Sequence, residues 1–122
     1  MFQFTGTLGA LRANAEYASY GASRASVRQL AQALAREMSA KGVHVAHAVA
    51  NGRITDADND DTKSGKHIAA EAVGKTYLWL VSQLWAKSLE DSYADVDSSK
   101  QANQDPTLWT HELDLRPAQE KF

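Results

Sequence analysis

The sequence predicts an α/β fold with about three mostly parallel strands and two long helices. Two observations carry this prediction. Apolar residues at helical spacing cover residues 14–41, and β-rich segments flank them on both sides. The second of these segments, residues 43–50, is almost continuously apolar, as is typical of a parallel strand covered on both faces. A strand, a helix and a strand in this order form a βαβ unit, whose crossover should be right-handed.

The composition is that of one globular domain spanning residues 1–122, with 43% hydrophobic and 23% charged residues. The net charge of −2 gives no electrostatic footprint for nucleic acid. No apolar run is long enough to span a membrane, so we expect no membrane association. The chain has no cysteine and begins without the features of a signal peptide, which predicts a cytoplasmic protein.

The first helix has boundary signals at both ends. Residues 1–5 alternate and predict a short strand, and residues 6–13 form a loop rich in small side chains. Asn14 fits an N-cap, and Glu16 in the first turn suits the helix dipole. Gly42 follows Lys41 as the residue that ends the helix. We therefore predict a helix from about residue 14 to residue 41.

Two interpretations are open for the residues after the second strand. Asn51 and Gly52 fit a type I′ hairpin turn that leads into residues 53–55. They also fit a loop at the carboxyl edge of a parallel sheet, where open α/β sheets bind ligands. We favour the loop because a buried parallel strand precedes it.

The remaining sequence predicts a second helix over residues 67–87 and a third strand over residues 108–115. The second half of this helix, which includes Trp79 and Trp85, is apolar almost all round and predicts burial against another subunit or domain. Residues 86–106 predict a flexible insert, because most of them are polar.

Tyr20 and Arg24 lie four residues apart at the head of the first helix's apolar stripe. On a helix this spacing places both side chains on one face, about one turn apart. A nearby cation favours the phenolate form of tyrosine, so a phenol placed in this way can act as a general acid or base. The same spacing fits a tyrosine at the edge of the core with an arginine that extends past it. Spacing alone favours this second, structural interpretation.

Other patterns do not meet the requirements of a metal site. Residues 56–60 carry aspartates at the first three ligand positions of a calcium-binding EF-hand loop, but Asp61 and His67 stand where that loop requires Gly and Glu. His44 and His47 are three residues apart on a strand, so they face opposite sides of the sheet. We expect no bound metal and a structural role for both histidines.

Residues 20–25, Tyr-Gly-Ala-Ser-Arg-Ala, resemble the Tyr-x-x-x-Lys signature of the short-chain dehydrogenase/reductase family. A strand ending in Thr-Gly-Thr precedes this motif, and a long helix, a strand and a turn follow it, as in the family. Residues 109–117 are similar to the closing strand of an atypical branch of the family. The resemblance covers only the family's C-terminal half, and it implies a partial Rossmann-like parallel sheet.

The resemblance implies catalytic roles for three residues. Tyr20 would donate or accept the substrate proton. Thr7, thirteen residues earlier, takes the position of the serine that orients the carbonyl or alcohol, with Thr5 as the alternative. Arg24 takes the position of the lysine that tunes the tyrosine and holds the nicotinamide ribose. The implied reaction transfers hydride between NAD or NADP and a small-molecule carbonyl or alcohol substrate.

The resemblance also implies a segment that meets the nicotinamide. Residues 51–54 match the stretch whose backbone usually contacts the nicotinamide amide, and a hydroxyl residue follows it. The family's threonine after this stretch falls on Asp56 here, with Thr55 adjacent. The implied cofactor-binding residues are Arg24, Asn51, Gly52, Ile54 and Thr55.

The sequence departs from the family at several points. Arg24 replaces a lysine and Asn51 replaces a proline, and arginine and lysine are not interchangeable where geometry matters. No glycine-rich dinucleotide fingerprint is present. We therefore expect weak or no activity from this chain alone, as from a truncated reductase. The alternative is a non-catalytic interaction module, which would pair with itself or with a full-length relative through its long helices.

Overall fold

The computed structural model describes residues 1–89 and 109–120. Its elements in chain order are β1 (Phe2–Gly6), α1 (Ala18–Ser39), β2 (Val45–Ala50), β3 (Ile54–Thr55), α2 (Asp60–Lys63), β4 (Ile68–Ala69), α3 (Ala70–Leu89) and β5 (Glu112–Leu115). From residue 90 onward, the predicted insert lies outside the described residues and stays a prediction. No helix in the described part of the chain is long and apolar enough to cross a membrane.

Three parallel strands form the central sheet, in the order β1-β2-β5. The middle strand β2 is buried except at its last residue, because neighbouring strands and helices cover it. This arrangement confirms the predicted α/β fold, a partial Rossmann-like sheet of three strands with two long helices. The hairpin alternative is wrong, because β3 pairs with β4 in a separate parallel ladder and not with β2.

The first helix begins at Ala18, not near residue 14, so the predicted N-cap Asn14 is wrong. Glu16 adopts a left-handed backbone conformation, with φ of 69°, through which a right-handed helix cannot continue. The carbonyl of Asn14 instead accepts a hydrogen bond from the Tyr17 amide in a turn. Residues 14–17 consequently belong to the loop beside the sheet edge.

The end of α1 is close to the prediction. Gly42 has a φ of 70°, and its amide donates to the carbonyl of Ser39. The amide of Val43 donates to the carbonyl of Met38. These two bonds around a left-handed glycine form a Schellman motif, which satisfies carbonyls that the helix end leaves open.

The two long helices bury only part of their apolar residues in this chain. In α1, Ala31 is fully buried but the neighbouring Leu30 is 50% exposed. In α3, Leu80 is fully buried, whereas Leu78 is 71% exposed. The side chain of Trp85 lies outside the described part of the structure, so its predicted burial against a partner stays a prediction.

Candidate active site

A cavity of about 330 Å³ opens at the carboxyl ends of β1 and β2. Its wall comes from the loop after β1, the start of α1 and the segment after β2, and it includes Thr7, Gly9, Arg12, Tyr17, Tyr20, Asn51 and Gly52. The volume lies at the lower end of the range for small-molecule sites. The carboxyl edge of a parallel sheet is also where open α/β folds bind ligands, so this cavity is the candidate site.

Two hydroxyl groups meet in this cavity. The Tyr20 hydroxyl lies 2.9 Å from Oγ1 of Thr7, and either oxygen can donate the hydrogen bond. The alternative residue, Thr5, is hydrogen-bonded at 3.0 Å to the Tyr77 hydroxyl on α3, and it does not line the cavity. Tyr20 remains 41% exposed and lines the cavity. The structure thus brings together Tyr20 and Thr7, and not Tyr20 and Thr5.

The Arg24 side chain lies over the Tyr20 ring, as their spacing on α1 predicts. The guanidinium carbon is 5.2 Å from the ring centroid, which is a cation–π distance. Nε of Arg24 is buried and has no hydrogen-bond partner among the described residues. A buried donor in this state is costly unless a ligand or water satisfies it. Arg24 does not itself line the cavity.

Asn51 and Gly52 form the opposite wall of the cavity. Asn51 is buried, and its backbone amide donates to the carbonyl of Leu115 on β5 at 2.9 Å. Gly52 has a φ of 126°, and a Cβ atom there would lie 2.7 Å from the Pro117 ring. Any other residue at position 52 would therefore meet both backbone strain and a collision.

Ile54 and Thr55, the other two implied cofactor-binding residues, do not line this cavity. They form β3 and pair with β4. Oγ1 of Thr55 accepts a hydrogen bond from the Ala57 amide at 3.1 Å. Their contact with a cofactor stays a prediction.

Sequence reasoning missed what the loop after β1 contributes to the site. A Cβ atom at Gly9 would lie 2.9 Å from Cε1 of Tyr20, so the absence of a side chain lets the tyrosine ring pack there. A Cβ atom at Gly21 would lie 3.2 Å from Cβ of Ala13, which shows how closely the loop approaches α1. Arg12, which lies between Gly9 and Ala13 in the sequence, lines the cavity. The sequence did contain a signal for Arg12, because it is the only charged residue among residues 1–15.

An ion-pair network joins α1 to the sheet one turn beyond Arg24. Nε and Nη2 of Arg28 donate to the two carboxylate oxygens of Glu112 on β5, at 2.7 and 2.8 Å. Nδ1 of the buried His47 on β2 donates to the same carboxylate at 3.0 Å. The hydrogen bonds from Arg28 are the main reason that the pKa of Glu112 falls to about 2. Burial raises this pKa, but by less than the Arg28 bonds lower it, and the bond from His47 lowers it further. This network fixes the position of α1 on β2 and β5.

The residues present fit one end of a nicotinamide dinucleotide. Asn51 and Gly52 provide a wall for a flat ring, whereas Arg24, whose buried Nε is unsatisfied among the described residues, does not line the cavity. The sequence has no glycine-rich fingerprint for the pyrophosphate. The fit is therefore to the nicotinamide ring.

Comparison with solved structures places this arrangement in the class of short-chain-dehydrogenase-like α/β folds. The chain is similar to a short-chain dehydrogenase from Rhodopseudomonas palustris, with 25% sequence identity and a TM-score of 0.56. The match covers 94% of this chain but 37% of that protein, so this chain spans well under half of its length. No protein-family model matches the sequence. No curated protein matches it either.

Proposed function

We propose that this chain carries the proton-transfer centre and the nicotinamide-facing wall of an NAD(P)-dependent short-chain oxidoreductase. The observation that carries the proposal is the 2.9 Å contact between the hydroxyls of Tyr20 and Thr7 inside a cavity at the carboxyl edge of the sheet. The similarity to a short-chain dehydrogenase supports it. The substrate is a small carbonyl compound or the corresponding alcohol.

The chain's own residues supply acid–base chemistry to this reaction. A reduced nicotinamide held against the wall of Asn51 and Gly52 would supply a hydride for the carbonyl carbon. Tyr20 donates its hydroxyl proton to the carbonyl oxygen, which yields the alcohol and a tyrosinate. Arg24 stabilises this tyrosinate because its cationic group lies over the ring. Solvent then reprotonates the half-exposed Tyr20, and alcohol oxidation follows the same steps in reverse.

Replacement of the Tyr20 hydroxyl tests this function. We expect the 122-residue chain to oxidise NADPH or NADH slowly at millimolar cofactor with a panel of small aldehydes and ketones. Tyr20→Phe should lower the rate at least about 100-fold, because it removes the only proton donor of the mechanism. Absorbance at 340 nm gives the rate directly.

Tyr77→Phe is the matched control, since it removes a phenol hydroxyl outside the cavity. This variant should keep the wild-type rate, and circular dichroism should show that both variants are folded. A Tyr20→Phe variant that turns over as fast as the wild type would contradict the proposal. So would the absence of turnover with every carbonyl compound of the panel.

A second candidate is an interaction module that pairs through α3. The observation that favours it is the exposure of Leu78 at 71% and of Val81 at 41% on a helix whose other face buries Leu80. The Tyr20→Phe variant separates the two candidates. An interaction module keeps its solution mass in this variant and shows no turnover in the wild type.

A further inference from the structure

We infer that the carbonyl substrate of this site carries a negative charge, and that Arg12 binds it. The inference deepens the proposed function and rests on it. Arg12 is the only charged residue among those that line the cavity in the described part of the chain. A small carbonyl compound with a carboxylate or phosphate group would therefore meet a single guanidinium on the cavity wall.

The charge of Arg12 is available to a ligand. Among the described residues its side chain forms neither an ion pair nor a hydrogen bond, and it is exposed to solvent. The carboxylate of Glu120 accepts a weak hydrogen bond from Nδ2 of the cavity-lining Asn51 at 3.4 Å. Glu120 pairs with Arg116 at 3.4 Å, and Arg116 also pairs with Asp114 at 2.7 Å, but neither carboxylate belongs to the cavity lining. Arg12 thus carries the only charge among the described residues that line the cavity.

The loop holds Arg12 in a defined place relative to Tyr20. The backbone amide of Arg12 donates to the carbonyl of Leu8 at 3.1 Å, which closes a turn. On one side of this turn, Gly9 lies against the Tyr20 ring. On the other side, Ala13 lies against Gly21, the residue after Tyr20. Because the loop touches α1 on both sides of Arg12, the backbone of Arg12 has a defined position, and Arg12 and Tyr20 line the same cavity.

Guanidinium–carboxylate pairing discriminates between ligands that differ only in charge. A partly exposed pair of this kind contributes modestly, and its contribution falls as salt increases. We expect an anionic ketone to bind about five- to tenfold more tightly than its neutral ester at low ionic strength. The preference should shrink when salt is raised, whereas the contact of the carbonyl oxygen with Tyr20 should not depend on salt.

The test compares 4-oxopentanoate with methyl 4-oxopentanoate, which have the same ketone and differ in charge. Both are titrated into the ¹⁵N-labelled 122-residue chain, and the amide shifts of Thr7, Arg12 and Tyr20 give the dissociation constants. Arg12→Gln removes the charge and Arg12→Lys retains it. Arg36→Gln is the control for net charge, since Arg36 lies in the last turn of α1 and outside the cavity.

The inference predicts tighter binding of the anion in the wild type and in Arg12→Lys and Arg36→Gln, and equal binding of both ketones in Arg12→Gln. Equal binding of the two ketones to the wild type would overturn the inference but leave the proposed carbonyl site intact. An anion preference that persists in Arg12→Gln would overturn the role of Arg12. Failure of both ketones to shift these amides would overturn the inference and the carbonyl site together.

Discussion

At the scale of single residues, the site depends on which hydroxyl stands beside Tyr20. The thirteen-residue spacing offered Thr7, with Thr5 as a second choice, and spacing could not decide between them. The structure decides because Thr5 still lies within β1, where its hydroxyl faces Tyr77 on α3. Thr7 follows the strand and contacts Tyr20 at 2.9 Å. Thr7 has an extended backbone, and its hydroxyl, not that of Thr5, meets Tyr20 in the cavity.

Isosteric removal of each hydroxyl tests this assignment. Thr7→Val should lower carbonyl turnover by about 10- to 100-fold, because Tyr20 loses the partner that orients its hydroxyl. Thr5→Val should leave turnover close to that of the wild type, since Thr5 lies outside the cavity. Steady-state rates of the two variants under identical conditions provide the comparison. Equal losses in both variants would show that Thr7 has no special role.

At the scale of elements, the sequence predicted the helices and strands whose formation depends on local residue patterns. The helix at α1, the buried strand β2 and the closing strand β5 follow from apolar periodicity, and Gly42 marks the helix end. The start of α1 was missed, because the left-handed conformation of Glu16 leaves no local signal. The short β3–β4 ladder was missed for a related reason, since two-residue strands have no period to detect.

The ion-pair network that holds α1 could not be predicted from sequence either. Arg28 and Glu112 are 84 residues apart, and only the fold brings them within 2.7 Å. His47 was assigned a structural role, and its bond to Glu112 is consistent with that role. What sequence could not supply was its partner, since long-range pairs depend on strand order and register.

This network makes stability depend on pH in a defined direction. The pKa of Glu112 is about 2 in the folded chain, below its ordinary value of 4.5, chiefly because Arg28 donates hydrogen bonds to the carboxylate. The stabilisation is therefore complete above about pH 5 and is lost as pH falls through the range from about 4.5 to about 2. The loss should reach about 3 kcal/mol in the free energy of unfolding. Urea unfolding of the wild type at a series of pH values measures it.

Glu112→Gln should lower stability at neutral pH by about 2–3 kcal/mol and flatten the acid dependence, because one partner of the network is removed. Glu71→Gln is the control, since Glu71 is an exposed residue that pairs with Lys75 in the same helix. An acid transition in Glu112→Gln as steep as that of the wild type would assign the dependence to other carboxylates.

At the scale of the whole molecule, the proposed function assigns this chain one end of a cofactor site. Asn51 and Gly52 provide a wall that fits the nicotinamide ring, and the sequence has no fingerprint for the pyrophosphate. The short-chain dehydrogenase that it resembles is much longer, since the match covers 37% of that protein. We therefore propose that the cofactor's adenosine half contributes little to binding by this chain.

The most direct test of this account is a fluorescence titration of the 122-residue chain with reduced nicotinamide mononucleotide, NADH and NADPH. We expect saturable, weak binding of all three with similar affinities and no competition by AMP. Absence of saturable binding by the mononucleotide would contradict the nicotinamide-facing role of Asn51 and Gly52. Much tighter binding of the dinucleotides, with competition by AMP, would contradict the claim that the site holds only the nicotinamide end.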